Sequence, residues 1–153
     1  MRSDDEQQRP YIFFSSETKL VSEELFPNTP NDVSVALPLS IFPGKLSGLQ
    51  AIVRYLHDHD HSFSGIATLL NRSQKTIWAT YNKVKDAPFE YERGGLTIPA
   101  ALFATRKLSP LETIVNYLNN LDFSNAETAR MLGLDPRTTW TVKQRIRKKE
   151  VEA

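Results

Sequence analysis

The apolar positions of this chain follow one pattern, and the pattern occurs twice. Leu49, Ile52, Val53 and Leu56 are spaced as one face of a helix, and Leu111, Ile114, Val115 and Leu118 repeat them 62 residues later. A second, shorter stripe of Ile66, Ala67 and Leu70 follows the first, and Ala129 and Leu132 recur at the same offset. Aligning Leu46–Lys85 with Leu108–Arg147 without a gap gives 13 identities in 40 positions, enough to mark a duplicated unit. Lys75/Arg137, Lys83/Arg145, Val84/Ile146 and Lys85/Arg147 are conservative pairs in the same alignment.

Capping residues divide each copy into three helices. Ser47 and Ser109 suit the N-cap of the first, and Glu112, three residues after Ser109, completes a capping box. Pro110 stands at the first helical position, where a missing N–H costs nothing. The second helix opens near Ser62 or Ser124 and ends at Asn71 or Gly133, residues that tolerate a left-handed turn. Ser73 and Asp135 then cap a third helix, expected over about Gln74–Lys85 and Pro136–Lys148. Val33–Leu39 alternates loosely as a strand would, and Leu37-Pro38 is echoed by Ile98-Pro99 before the second copy. Between the copies, Phe89–Glu92 alternates and Gly94-Gly95 could turn it back into Leu96–Ile98, a small hairpin.

The expected fold is therefore mainly α: two repeated three-helix units, with short β or extended segments before each and in the linker. Residues 1–36 form an acidic segment with a polar start, Met1–Arg9, and a turn-rich stretch, Pro27–Asp32. Residues 37–87 form the first unit, 88–97 the linker and 98–149 the second unit. Units of about 50 residues bury too little apolar surface to be very stable alone. The two copies are expected to pack on each other or to share their flanking segments.

Charge is distributed unevenly although the total is only +1. Residues 1–36 carry 3 basic and 7 acidic side chains, whereas Arg137–Lys149 carries six basic and no acidic ones. Basic charge thus gathers on the third helix of each copy, as it would for a polyanionic partner or on a solvated helix face. The chain has no cysteine, which excludes disulfides and thiolate metal sites and fits a reducing compartment. No apolar run approaches a membrane span, and the acidic start lacks the features of a secretory signal. A cytoplasmic protein, nucleoid-associated when bound to DNA, is expected.

Two short helices joined by a tight turn, the second ending basic, make the helix-turn-helix layout. Phe63–Trp78, with Ala67 at the helix crossing, Leu70 beneath the turn and Ile77 in the core, resembles the helix-turn-helix of bacterial transcription factors. The preceding Leu-Ser-x-Leu helix and the Ile-Ala-x-Leu-Leu run are most similar to the region 4 type of sigma factors. The resemblance covers Leu46–Lys85 and Leu108–Lys149 and implies that each third helix enters the major groove of double-stranded DNA. It implies base contacts from Ser73, Gln74, Lys75, Trp78, Ala79 and Asn82 in the first copy. In the second copy they would come from Asp135, Arg137, Thr138, Trp140, Thr141 and Gln144. Lys83, Lys85, Lys143, Arg145, Arg147, Lys148 and Lys149 would meet phosphates. Transcription regulation is the implied role. A docking adaptor for RNA polymerase or a recombination complex is the alternative, with the acidic N-terminal segment serving the partner.

Two features stay open at this point. Trp78 and Trp140 stand one position past the expected core residue, and either pack between helices or offer an apolar edge to thymine methyls. His57, His59 and His61 alternate with Asp58 and Asp60, but the second copy has Asn119, Leu121 and Phe123 there, so a metal is not expected. No nucleophile–base pair, phosphate loop or paired carboxylates stand out. The expectation is a non-enzyme without a cofactor.

Overall fold

The computed structural model describes residues 35–152. The readings for Met1–Arg9 and Pro27–Asp32 lie outside that range. Strand β1 (Ala36–Pro38) leads through a 3-10 turn, Leu39–Ile41, into helices α1 (Gly48–Asp58), α2 (Phe63–Leu70) and α3 (Gln74–Val84). Strand β2 (Thr97–Pro99) and a second 3-10 turn, Ala100–Ala104, lead into α4 (Pro110–Asn120), α5 (Asn125–Leu132) and α6 (Pro136–Glu152). The described part is mainly helical, with three helices per copy and short strands, as expected; the strands form one two-stranded sheet.

Local chemistry explains the boundaries. Ser47, Ser62, Ser109 and Ser124 each cap a helix by accepting the N–H three residues on. The capping box expected at Glu112 is present, and Gln50 and Glu127 build two more. The first helices stop at Asp58 and Asn120; two residues on, Asp60 and Asp122 are left-handed, with the next N–H bonding back to Leu56 or Leu118. Second helices end on left-handed Asn71 and Gly133, with Arg72 and Leu134 N–H reaching Ala67 and Ala129 carbonyls. α6 runs one turn past the expected Lys148.

The linker departs from expectation. Leu96–Ile98 does not fold back on Phe89–Glu92. Instead β2 pairs antiparallel with β1, Leu37 opposite Ile98, Ala36 opposite Pro99 and Pro38 opposite Thr97. The exchange sends both Leu37 and Ile98 into the core with no exposed surface. Meanwhile α1 takes the alternating segment: Tyr91 meets the Tyr55 ring edge-on at 5.3 Å, and the Arg54 guanidinium lies over Phe89 at 5.2 Å. A hairpin would have forfeited both.

The strand register has a geometric consequence. Leu37 and Ile98 are equivalent positions of the two copies, and Ala36 pairs with the equivalent of Pro38 just as Pro38 pairs with the equivalent of Ala36. Such reciprocal pairing is the mark of a two-fold axis. Three further features obey it. The Leu39 and Ala100 N–H groups donate to Leu96 and Val35 carbonyls, both at 2.9 Å. Phe42 and Phe103, again equivalent, meet with tilted rings whose centroids are 6.1 Å apart. Gly48 faces Pro110, its own counterpart, so closely that a Cβ on Gly48 would stand 2.9 Å from Pro110 Cβ. The 3-10 turn of each copy packs on the second helix of the other, so a single core runs through both.

Two consequences can be measured. Gly48→Ala is expected to destabilise by about 1–3 kcal/mol through overpacking at the axis, despite alanine's better helix propensity. In a Pro110→Gly background that effect should largely vanish in denaturant titrations. The second copy also replaces the buried Ile66 and Ile77 with Thr128 and Thr139, fully buried with hydroxyls that find no partner among the described residues. Thr128→Val and Thr139→Val should each raise stability by about 1 kcal/mol, seen as higher thermal midpoints.

Candidate nucleic-acid interface

Helices α3 and α6 bury one face and expose the other. Ile77 and Val84 anchor α3, and Thr139, Val142 and Ile146 anchor α6. At about 100° per residue, the side opposite these anchors carries Lys75, Ala79 and Asn82 on α3, and Arg137, Thr141, Gln144 and Lys148 on α6. Trp78 or Trp140 lies along one flank of each stripe and Lys83 or Arg145 along the other. The structure thus gathers most candidate base contacts into two equivalent stripes. Lys75, Arg137, Thr141 and Lys148 are exposed, while Ala79, Asn82 and Gln144 are half-buried. Thr138, with Gln74, is exposed near the helix start.

The open question about the tryptophans is answered. Trp78 and Trp140 do not pack between helices; their relative exposures are 55% and 57%.

Several candidates are already engaged. The Ser73 hydroxyl accepts the Thr76 N–H and donates to the Thr76 hydroxyl at 2.8 Å. The Asp135 carboxylate accepts the Arg137 N–H at 2.8 Å. Both therefore serve the helix start. Asn82 Nδ2 donates to the Trp78 carbonyl at 2.8 Å, leaving its side-chain oxygen free of that bond. Thr141 Oγ1 donates to the Arg137 carbonyl. Among the phosphate candidates, Lys83, Lys85, Arg145 and Lys148 are exposed. Arg147 is exposed as well, but with the half-buried Lys143 it lines a groove against Asn116, Asn119 and Asn120 of α4.

Lys149 has an intramolecular partner. Its ammonium lies 2.6 Å from the buried Glu112 carboxylate. Burial by itself would raise the Glu112 pKa, but the Lys149 ammonium, the Ser109 N–H and the nearby Arg145 charge outweigh it and hold the carboxyl below its ordinary value. The pair fastens the end of α6 to the start of α4. In the first copy, Arg54 of α1 performs the equivalent fastening, donating to the Val84 and Ala87 carbonyls at 2.7 and 2.8 Å at the end of α3.

One basic feature escaped the sequence reading. Arg72 and Arg106 converge on an open cleft at the turn between α2 and α3, lined also by Ala67, Thr68, Asn71 and Ser73. Arg106 donates to the Asn71 carbonyl at 3.3 Å, and Arg72 to the Leu70 and Phe103 carbonyls. Burial and then the neighbouring Arg106 charge lower the Arg72 pKa, so an anion in the cleft would relieve both guanidinium groups. Arg106 comes from the segment leading into the second copy, and no pattern within one copy signals that it lands on the other.

Two of the three histidines serve packing. His57 stacks on Phe63 at 4.4 Å and meets Tyr81 edge-on, while His59 stacks on Tyr55 at 4.1 Å. No described helix is long and apolar enough to cross a membrane. No family model, curated protein or solved structure matches the chain.

Glu112→Gln separates charge from capping, because glutamine serves the capping box as well, as Gln50 does. The variant should be about 1–2 kcal/mol less stable near neutral pH, less than for a fully buried pair because the Lys149 ammonium is half exposed. A depressed carboxylate pKa stabilises the fold above the ordinary glutamate value, about 4.3, and the gain disappears as pH falls to the lower folded value. Denaturation curves of the two proteins should therefore converge in acid.

Proposed function

We propose that the chain binds double-stranded DNA by placing α3 and α6 in the major groove as the two recognition helices of a tandem helix-turn-helix protein, and that it regulates transcription in the compartment holding that DNA, the cytoplasm. The resemblance to sigma factor region 4 supports this reading. One observation carries it. The thirteen identities between the copies nearly all have a structural reason: core packing for Ile52, Val53, Leu56, Ala67 and Leu70, capping for Ser47 and Ser62, a left-handed turn for Asp60. Trp78 and Trp140 have none. A large apolar ring kept at the same exposed position of two helices that are identical at only one other aligned position, Thr76/Thr138, fits a surface that both helices lay on the same kind of partner.

Duplex DNA suits the rest of each stripe. Lys75 and Arg137 match guanine O6 and N7, the Asn82 and Gln144 amides match adenine, and the tryptophan edges match thymine methyls. Lys83, Lys85, Arg145 and Lys148, with Arg72 and Arg106 at the turn of the first copy, suit phosphates.

Mobility-shift titrations against mixed duplexes at several salt concentrations test the proposal. Binding should weaken steeply with salt, and Lys83→Ala and Arg145→Ala should each reduce the salt slope by about one. Lys75→Ala with Arg137→Ala should alter sequence preference, at a cost of about 1–3 kcal/mol per lost base contact. An absence of duplex binding even at low salt would refute the proposal.

A further inference from the structure

From the two-fold relation between the units, we infer that the DNA target is an imperfect inverted repeat, read by one chain in a single polarity. This rests on the DNA-binding reading above. The axis is marked by Leu37 opposite Ile98, by Phe42 against Phe103 and by Gly48 against Pro110. A rotation that exchanges these residues also exchanges α3 with α6. Two recognition helices related in this way meet a duplex in opposite senses, so their half-sites are inverted, as operator symmetry mirrors protein symmetry in two-fold helix-turn-helix dimers. Tandem repeats related by translation would instead read direct repeats.

The two halves of the target are not equal. The stripes share the tryptophan, but Lys75, Ala79 and Asn82 of one stand where Arg137, Thr141 and Gln144 stand in the other. Ala79 offers only a methyl group where Thr141 carries a hydroxyl. Asn82 is one methylene shorter than Gln144, and Lys75 gives a point charge where Arg137 gives a planar fork. A homodimer of identical units has no preferred direction on DNA. This chain has one, because its two halves differ and a shared core holds them in fixed relation. The spacing of the half-sites is then rigid as well, since no flexible tether separates the units.

Single-cysteine footprinting tests polarity directly, and the chain's lack of native cysteine makes it clean. Asp86→Cys, just past α3, and Glu152→Cys, at the end of α6, are both exposed and lie outside the stripes. Each variant is labelled with an iron chelate and bound to duplexes selected from a random pool. The selected duplexes should contain an inverted repeat with unequal halves. The two labels should cleave opposite flanks, and flipping the site within its fragment should exchange the flanks. Rebuilding the site as a direct repeat should weaken binding about tenfold or more. Selected duplexes that bind but carry direct repeats or a single half-site would overturn the inference and leave DNA binding standing. So would both labels cutting both flanks equally, or the chain bridging two separate duplexes. Recovery of no duplex would overturn the DNA-binding reading itself.

Discussion

The pairing of β1 with β2 is the constraint on which the remaining structure depends. Six residues form it, yet it places Leu37 and Ile98 side by side in the centre of the core. From there it dictates that each 3-10 turn crosses to the other copy's second helix and that the first helices approach through Gly48 and Pro110. A unit of about 50 residues lacks the buried area to be stable alone. Exchange of flanking segments supplies what each lacks, and makes the two units one cooperative body. The glycine at position 48 follows from the same constraint: the axis leaves room for one Cβ between the helix starts, and Pro110 occupies it.

Within that shared frame, the copies secure the third helix to the first by opposite electrostatic devices. In the first copy, Arg54 supplies a cation to the carbonyls at the end of α3, where the helix dipole favours positive charge. In the second, the asparagine at 116 cannot do this. Glu112 instead supplies an anion to Lys149, the counterpart of Ala87, on a longer helix. The change accompanies a difference in length: α3 stops at Val84 while α6 continues to Glu152. The basic run at the end of the chain is therefore not one uniform surface: Lys149 is paired within the fold, the half-buried Lys143 and the exposed Arg147 line a groove beside α4, and Arg145 and Lys148 are exposed.

Much of this was legible in the sequence because it is local. Serine caps, left-handed Asn71 and Gly133, and the apolar stripes act within a few residues, so the six helices and their limits could be read to within about a turn. Non-local pairing was hidden. Nothing in Leu96–Ile98 distinguishes a partner at Phe89–Glu92 from one at Ala36–Pro38; only the burial of Leu37 against Ile98 decides between them. For the same reason the cleft formed by Arg72 and Arg106 could not be seen, since its two cations belong to different copies. Glu112 was legible as a capping residue but not as an ion-pair partner 37 positions from Lys149.

Internal duplication supplies a control that a single unit would lack. Where both copies keep a residue and bury it, packing is a sufficient cause. Where both keep a residue and expose it, packing is not, and Trp78 and Trp140 are the clearest such pair. Positions that differ between the copies carry the complementary information. Thr128 and Thr139 bury hydroxyls that find no partner among the described residues where the first copy has isoleucine, so the second unit carries a polar burial cost that the first avoids. The surface stripes differ as well, but around a common tryptophan. Kept ring, changed neighbours and a fixed two-fold relation together describe a molecule suited to grip one kind of surface twice while telling its two ends apart.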